Sequence, residues 1–227
     1  MLFDREDDDF GSDAATRALS VTAVETDFMA RVYAKQACWY DLWFGPTLHH
    51  GRLVAIEHMG IAPGDRILEA GFGTGINAAL YPRNCHVTGI DFSASMLDKG
   101  RDRVQQKGLR NIRLLEMDAS HMMFADDSFD IVYAPYLISV VPDPVQVVKE
   151  MRRVCRPGGK FIVLNHFRSA NPILSRLERA MSPFTVHLGF KSDLDLPGFL
   201  AQADLQPISI KKVNFPRLWS LVTCLKD

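Results

Sequence analysis

The chain has 227 residues and a formal net charge of −1, from 26 basic and 27 acidic side chains. That balance argues against broad nucleic-acid binding, which needs a basic surface. Its four cysteines, Cys38, Cys85, Cys155 and Cys224, are scattered without metal or disulfide spacing, and no stretch is long and apolar enough to span a membrane.

These features suit a reduced, cytosolic protein with no leader peptide. The length is enough for one well-cored domain. Residues 1–19 form the first unit, an acidic tail carrying Asp4, Glu6, Asp7, Asp8 and Asp9, a run that repels itself and stays solvated. Residues 20–60 read as helices. Val21, Val24, Phe28, Val32, Trp39 and Trp43 fall on one side of a 3.6-residue period. Met29, Tyr33, Tyr40 and Phe44 form a second apolar face a quarter turn away. Two tryptophans beside Lys35 suit a membrane interface; burial on both faces is the alternative.

Gly45-Pro46 stops this segment, and a further helix runs from Leu48 to Met59 with His49, His50 and Arg52. Adjacent histidines point to different sides of a helix, so no shared metal site is expected. The remaining unit, residues 61–227, begins with a turn at Gly60 to Asp65.

The stretch Arg66 to Asn77 then reads as a buried strand, a tight turn and the start of a helix. Gly71, Gly73 and Gly75 alternate, leaving backbone that can take positive φ and touch a ligand. Helix N–H groups would point to the same place, at the carboxyl end of a strand. A dinucleotide site wants glycine three positions after the second one, where this chain has Ile76. Cys85 to Asp91 reads as a second strand, its acid 20 residues after Gly71. A carboxylate there can accept both hydroxyls of a ribose, and Phe92 could lie on an adenine face. Ser93 caps a helix to Gln106, and a third strand, Ile112 to Glu116, leads into Met117-Asp118-Ala119.

Glu69-Ala70-Gly71-Phe72-Gly73-Thr74-Gly75 resembles the first motif of class I S-adenosylmethionine (AdoMet) methyltransferases. The resemblance implies an α/β Rossmann-like fold: a seven-stranded sheet, helices on both faces, the last strand antiparallel. It implies AdoMet as cofactor, with Asp118 accepting the adenine amino group. The cofactor contacts it implies are Tyr40, Glu69, Gly71, Gly73, Gly75, Asn77, Asp91, Phe92, Ser93, Met96, Met117, Asp118, Ala119 and Ala134.

Further along, Ala125 to Tyr136 holds a turn and a fourth strand, whose end meets the reacting methyl in this family. Tyr133-Ala134-Pro135-Tyr136 lacks the polar residue of amine methyltransferases acting on planar groups. Asp143-Pro144 starts a helix with the stripe Val147, Val148, Met151 and Val154. Arg156 to Gly159 is a turn into strand five, Lys160 to Asn165. Residues 166–196 read as a substrate-side insertion in which Arg168, Arg176, Arg179 and Lys191 could take a lipid phosphate, or form a solvated basic face. Asp193 starts a helix to Ala203, and Pro207 to Val213 and Leu218 to Leu225 are closing strands.

Tyr40 to Gly45, His50-Gly51-Arg52 and Val140 to Pro144 are similar to the soluble bacterial phosphatidylethanolamine N-methyltransferases, a branch itself similar to quinone-biosynthesis C-methyltransferases. This resemblance implies stepwise methylation of a phospholipid amine to phosphatidylcholine, by a peripheral protein on the cytosolic face of an anionic membrane. An ammonium must lose a proton before it attacks, and His166 follows strand five as a candidate acceptor. The quaternary product suits an aromatic cage, for which Tyr33, Tyr40 and Tyr136 are candidates. A methyltransferase for a quinone or a soluble substrate, and a non-catalytic AdoMet-binding protein, are the rival readings.

Overall fold

Strand β1, Arg66–Ala70, is exposed only at its first residue, and such a run belongs at the centre of a sheet covered on both faces. The computed structural model describes residues 48–168, 194–214 and 218–227. In it β1 pairs in parallel with β2, His86–Asp91, and with β4, Phe129–Pro135. The seven strands run in the order β3-β2-β1-β4-β5-β7-β6. Here β3 is Ile112–Glu116, β5 Cys155–His166, β6 Pro207–Val213 and β7 Trp219–Leu225. Only β7 runs against its neighbours, β5 and β6. This is the Rossmann-like sheet with an antiparallel last strand that the sequence implied.

Four helices flank the strands among the described residues: α1 over residues 48–59, α2 Ala94–Gln106, α3 Pro144–Val154 and α4 Leu196–Gln202. Helix α3 follows its pattern: Asp143 accepts the Gln146 N–H at 2.9 Å, and Val147, Val148, Met151 and Val154 are buried. They join Leu68, Val132 and Val163 in one core. Helix α1 packs its Leu48, Ala55 and Met59 in a second core with Ile67, Tyr133 and Ile162.

Four local expectations are corrected. No full helix follows the glycine turn; a single 3-10 turn, Ala78–Leu80, stands there. Tyr81 is extended at ψ 138°, as a residue before proline is pushed to be, and the Asn77 side chain makes no cap bond. Ser93 holds the cap position of α2 but its hydroxyl does not cap; it lies 3.1 Å from the Ser95 hydroxyl. Helix α4 starts later than predicted, at Leu196, with Asp195 accepting the Gly198 N–H at 2.9 Å. Strand β5 also absorbs the predicted Arg156–Gly159 turn, because Cys155 already pairs with Phe129 before the register shifts.

Candidate active site

The strand order reverses between β2 and β4 on the two sides of β1, and such switch points open a crevice at the carboxyl ends of the strands. A cleft lies there, lined by Arg52, Gly71, Phe72, Gly73, Thr74, Ile76, Asp91, Phe92, Ser93, Met96, Pro135, Tyr136, Leu137 and Val140. The turn that floors it needs its glycines, for Gly71, Gly73 and Gly75 have φ of 76°, 56° and 74°. Both Gly71 and Phe72 donate their N–H to the Ile90 carbonyl at 2.9 Å, which ties the turn to β2.

Asp91 ends β2 at the lip of this turn. Its Oδ2 accepts the Gly73 N–H at 2.8 Å and its Oδ1 the Ser93 N–H at 2.9 Å. A carboxylate has about four lone-pair sites, and with the Gly73, Ser93 and Phe92 N–H groups all drawn to it, one is left for a ligand hydroxyl. Burial pushes the Asp91 carboxyl above its ordinary range, against the pull of those N–H groups. Phe92, beside it, is 37% exposed although apolar, the condition of a ring waiting to be covered. Met96 comes from the first turn of α2.

Arg52 is the one cation lining the cleft among the described residues. It is 7% exposed, and its guanidinium lies 4.8 Å from the Tyr136 ring centroid, within cation–π range. Its Nη1 donates to Asn77 Oδ1 at 3.0 Å, while Nε is buried without a hydrogen-bond partner. Asn77 passes the contact inward, donating to Glu69 Oε1 at 2.7 Å; the Tyr81 hydroxyl donates to Glu69 Oε2 at 2.5 Å. Burial drives the Glu69 pKa up to about 7 in spite of these hydrogen bonds.

The predicted residues therefore divide. Gly71, Gly73, Asp91, Phe92, Ser93, Met96 and Tyr136 meet at the cleft. Glu69 and Asn77 lie sealed behind it as the buried anchor of Arg52. Gly75 turns against the Phe72 ring. Met117, Ala119 and Ala134 pack in the core instead. Asp118 is 62% exposed and accepts the Ser120 N–H at 2.8 Å. Tyr136 has one ring face already held by Arg52, which argues against a cage for a second cation. His166, at the end of β5, packs edge-on against Trp219 with centroids 5.8 Å apart. Arg168 pairs with Asp195 at 2.9 Å, so it braces the cap of α4. Tyr33, Tyr40, Arg176, Arg179 and Lys191 lie outside the described residues.

Arg52 and Thr74 were not foreseen as site residues. Thr74 lines the cleft and its hydroxyl accepts from Arg103 Nη1 at 3.3 Å. The only signal for Arg52 was its place in His50-Gly51-Arg52.

A glycine cradle, an acid at the next strand end, an exposed aromatic ring and a buried cation fit a nucleoside with an anionic tail. The chain belongs to the AdoMet-dependent methyltransferases, and AdoMet is its cofactor. The methyltransferase-domain family model matches residues 68–163.

A phosphatidylethanolamine N-methyltransferase from Cereibacter sphaeroides is 40% identical over 186 residues, spanning 82% of this chain and 91% of that one. The ubiquinone/menaquinone biosynthesis C-methyltransferase UbiE of Vibrio campbellii is 30% identical over 190 residues, spanning 82% of this chain and 72% of that one. Among solved structures, geranyl diphosphate C-methyltransferase from Streptomyces coelicolor, complexed with Mg2+, geranyl-S-thiolodiphosphate and S-adenosyl-L-homocysteine, shares the fold. Its TM-score is 0.65 at 17% identity, over 78% of this chain and 75% of that one. The YcgJ protein from Bacillus subtilis gives 0.63 at 23% identity, over 72% of each chain.

Proposed function

We propose that this methyltransferase acts on the amine of phosphatidylethanolamine, adding methyl groups stepwise to give phosphatidylcholine. The observation that carries this reading is the 40% identity to a phosphatidylethanolamine N-methyltransferase over 91% of its length. Bound AdoMet supplies an activated methyl group. In this reading Asp91 takes a ribose hydroxyl and Phe92 lies on the adenine. Gly71 and Gly73 let backbone approach the chain between them and the sulfur. Arg52 meets the carboxylate of the methionine end. The protein's task at the reacting end is to hold a neutral amine in line, about 3 Å from the methyl carbon. His166, buried beside Trp219 rather than lining the cleft, is the group proposed to take the amine's proton, through water.

The lipid sits in a membrane, so the protein must work at a bilayer surface. No helix of the described residues is long and apolar enough to cross one. The test is transfer of radiolabelled methyl from AdoMet to vesicles holding phosphatidylethanolamine and anionic lipid, separated by thin-layer chromatography. Label in mono-, di- and trimethylated lipid supports the reading; label absent from every lipid overturns it. Quinone C-methylation is the second reading, because relatives of that class also align at 30% identity, and a prenylated quinol in the same assay separates the two.

A further inference from the structure

A glycine stands inside α1 at position 51, where helices disfavour it. The reason lies far along the chain. A Cβ on Gly51 would come within 2.7 Å of Asn214 Oδ1 and 2.8 Å of Asn214 Nδ2. Asn214 follows β6, is 3% exposed, and has φ of 58°, a left-handed conformation that asparagine tolerates. Its amide is used at both ends. Oδ1 accepts the Gly51 N–H at 2.6 Å, and Nδ2 donates to the Tyr136 hydroxyl at 3.2 Å. That hydroxyl in turn donates to the Leu48 carbonyl at 2.9 Å. Tyr136 is itself left-handed, with φ of 58°, directly after β4.

One amide thus joins three elements: α1, the end of β4 and the end of β6. Arg52 is the residue next to Gly51, and its guanidinium lies over the ring of Tyr136. Both partners of that stacked pair are therefore placed by bonds that run through Asn214. We infer that Asn214 is a positioning residue for the cofactor site, setting where Arg52 stands in the cleft without touching the cofactor. This rests on the reading of Arg52 as the cation for the cofactor's carboxylate.

Asn214→Gly keeps the left-handed backbone and removes the amide. Asn214→Asp keeps the acceptor for Gly51 and loses the donor to Tyr136. Both are made in the full chain, and binding of S-adenosyl-L-homocysteine is measured by calorimetry below the melting temperature of each variant. The expected result is at least tenfold weaker binding for Asn214→Gly and a smaller loss for Asn214→Asp. The KM for AdoMet should rise in parallel with the dissociation constant while kcat stays within about threefold of wild type, since ground-state binding is what Arg52 supplies. Gly51→Ala should weaken binding by displacing the amide, and Gly51→Ala with Asn214→Gly should be no worse than Asn214→Gly alone.

A merely structural role would lower the melting temperature and leave the dissociation constant alone. Binding by Asn214→Gly within twofold of wild type overturns the proposal, as does full recovery in the double variant, which would mean that only the space mattered. If wild type gives no heat with S-adenosyl-L-homocysteine, the cofactor assignment fails instead.

Discussion

Asp91 Oδ2 accepts the Gly73 N–H at 2.8 Å, so the acid that ends β2 also holds the glycine turn that follows β1. In the proposed reading, recognition of a ribose and the shape of the turn share one side chain. Asp91→Ala should therefore lose on both counts. Charge-assisted hydrogen bonds of this kind are worth about 1.5–3 kcal/mol. S-adenosyl-L-homocysteine binding should weaken at least tenfold, with a lower melting temperature. Affinity within a factor of two of wild type would show that Asp91 does not meet the ribose.

Two glycines near this turn should fail in opposite ways. A Cβ on Gly73 would meet only Met96 Cε at 3.8 Å and Asp91 Oδ2 at 4.0 Å, in space that opens on the cleft. Gly73→Ala should cost about 1–2 kcal/mol in backbone strain and remove nearly all ligand heat. Gly89 has no such room: its Cβ would press on the Phe72 ring and lie 2.8 Å from Leu114 Cδ2. Gly89→Ala should destabilise by about 1–3 kcal/mol through overpacking, with weaker effect on ligand affinity. Urea denaturation and calorimetry on the pair distinguish the outcomes; equal effects would refute the placement of Gly73 against the ligand.

Arg52→Met removes the charge and keeps an apolar stem. It leaves Asn77 Oδ1 without its donor. AdoMet KM should rise tenfold or more, and Arg52→Lys should recover only part, because an ammonium cannot both stack on Tyr136 and fork toward Asn77. An unchanged KM in Arg52→Met would confine this residue to packing α1.

The pH dependence of stability should carry the mark of Glu69. Its pKa, ordinarily 4.5, is raised to about 7 in the folded protein, chiefly by burial. As pH rises the unfolded chain releases this proton first, so the favourable term is complete below about 4.5 and gone once pH passes about 7. Its upper bound is about 3 kcal/mol. Urea midpoints for wild type should fall between pH 5 and 8, and Glu69→Gln should flatten that fall. A variant with the wild-type slope would assign the dependence to other groups.

The sheet and the acid at the end of β2 were legible along the chain because both are written in short-range pattern. Apolar runs ending in an acid or a glycine turn mark β1, β2 and the cleft above them, and spacing alone put Asp91 opposite Gly71. The missing helix after the turn was half legible, for Tyr81-Pro82 should have signalled an early stop.

Arg52, Tyr136 and Asn214 were a different matter. They come from α1, the end of β4 and the end of β6, and no local periodicity relates them. Their contacts exist only once the strand order β1-β4-β5-β7-β6 brings those ends to one side. The same holds for Glu69, which the motif assigns to the cofactor and the fold turns inward against Tyr81 and Asn77. What the amino-acid order determined by itself was which backbone could bend and which faces had to be buried, since those depend on each residue and its near neighbours. Which side chain faces the ligand, and which only holds another in place, was decided by tertiary packing, because burial and hydrogen-bond partners are properties of the assembled sheet.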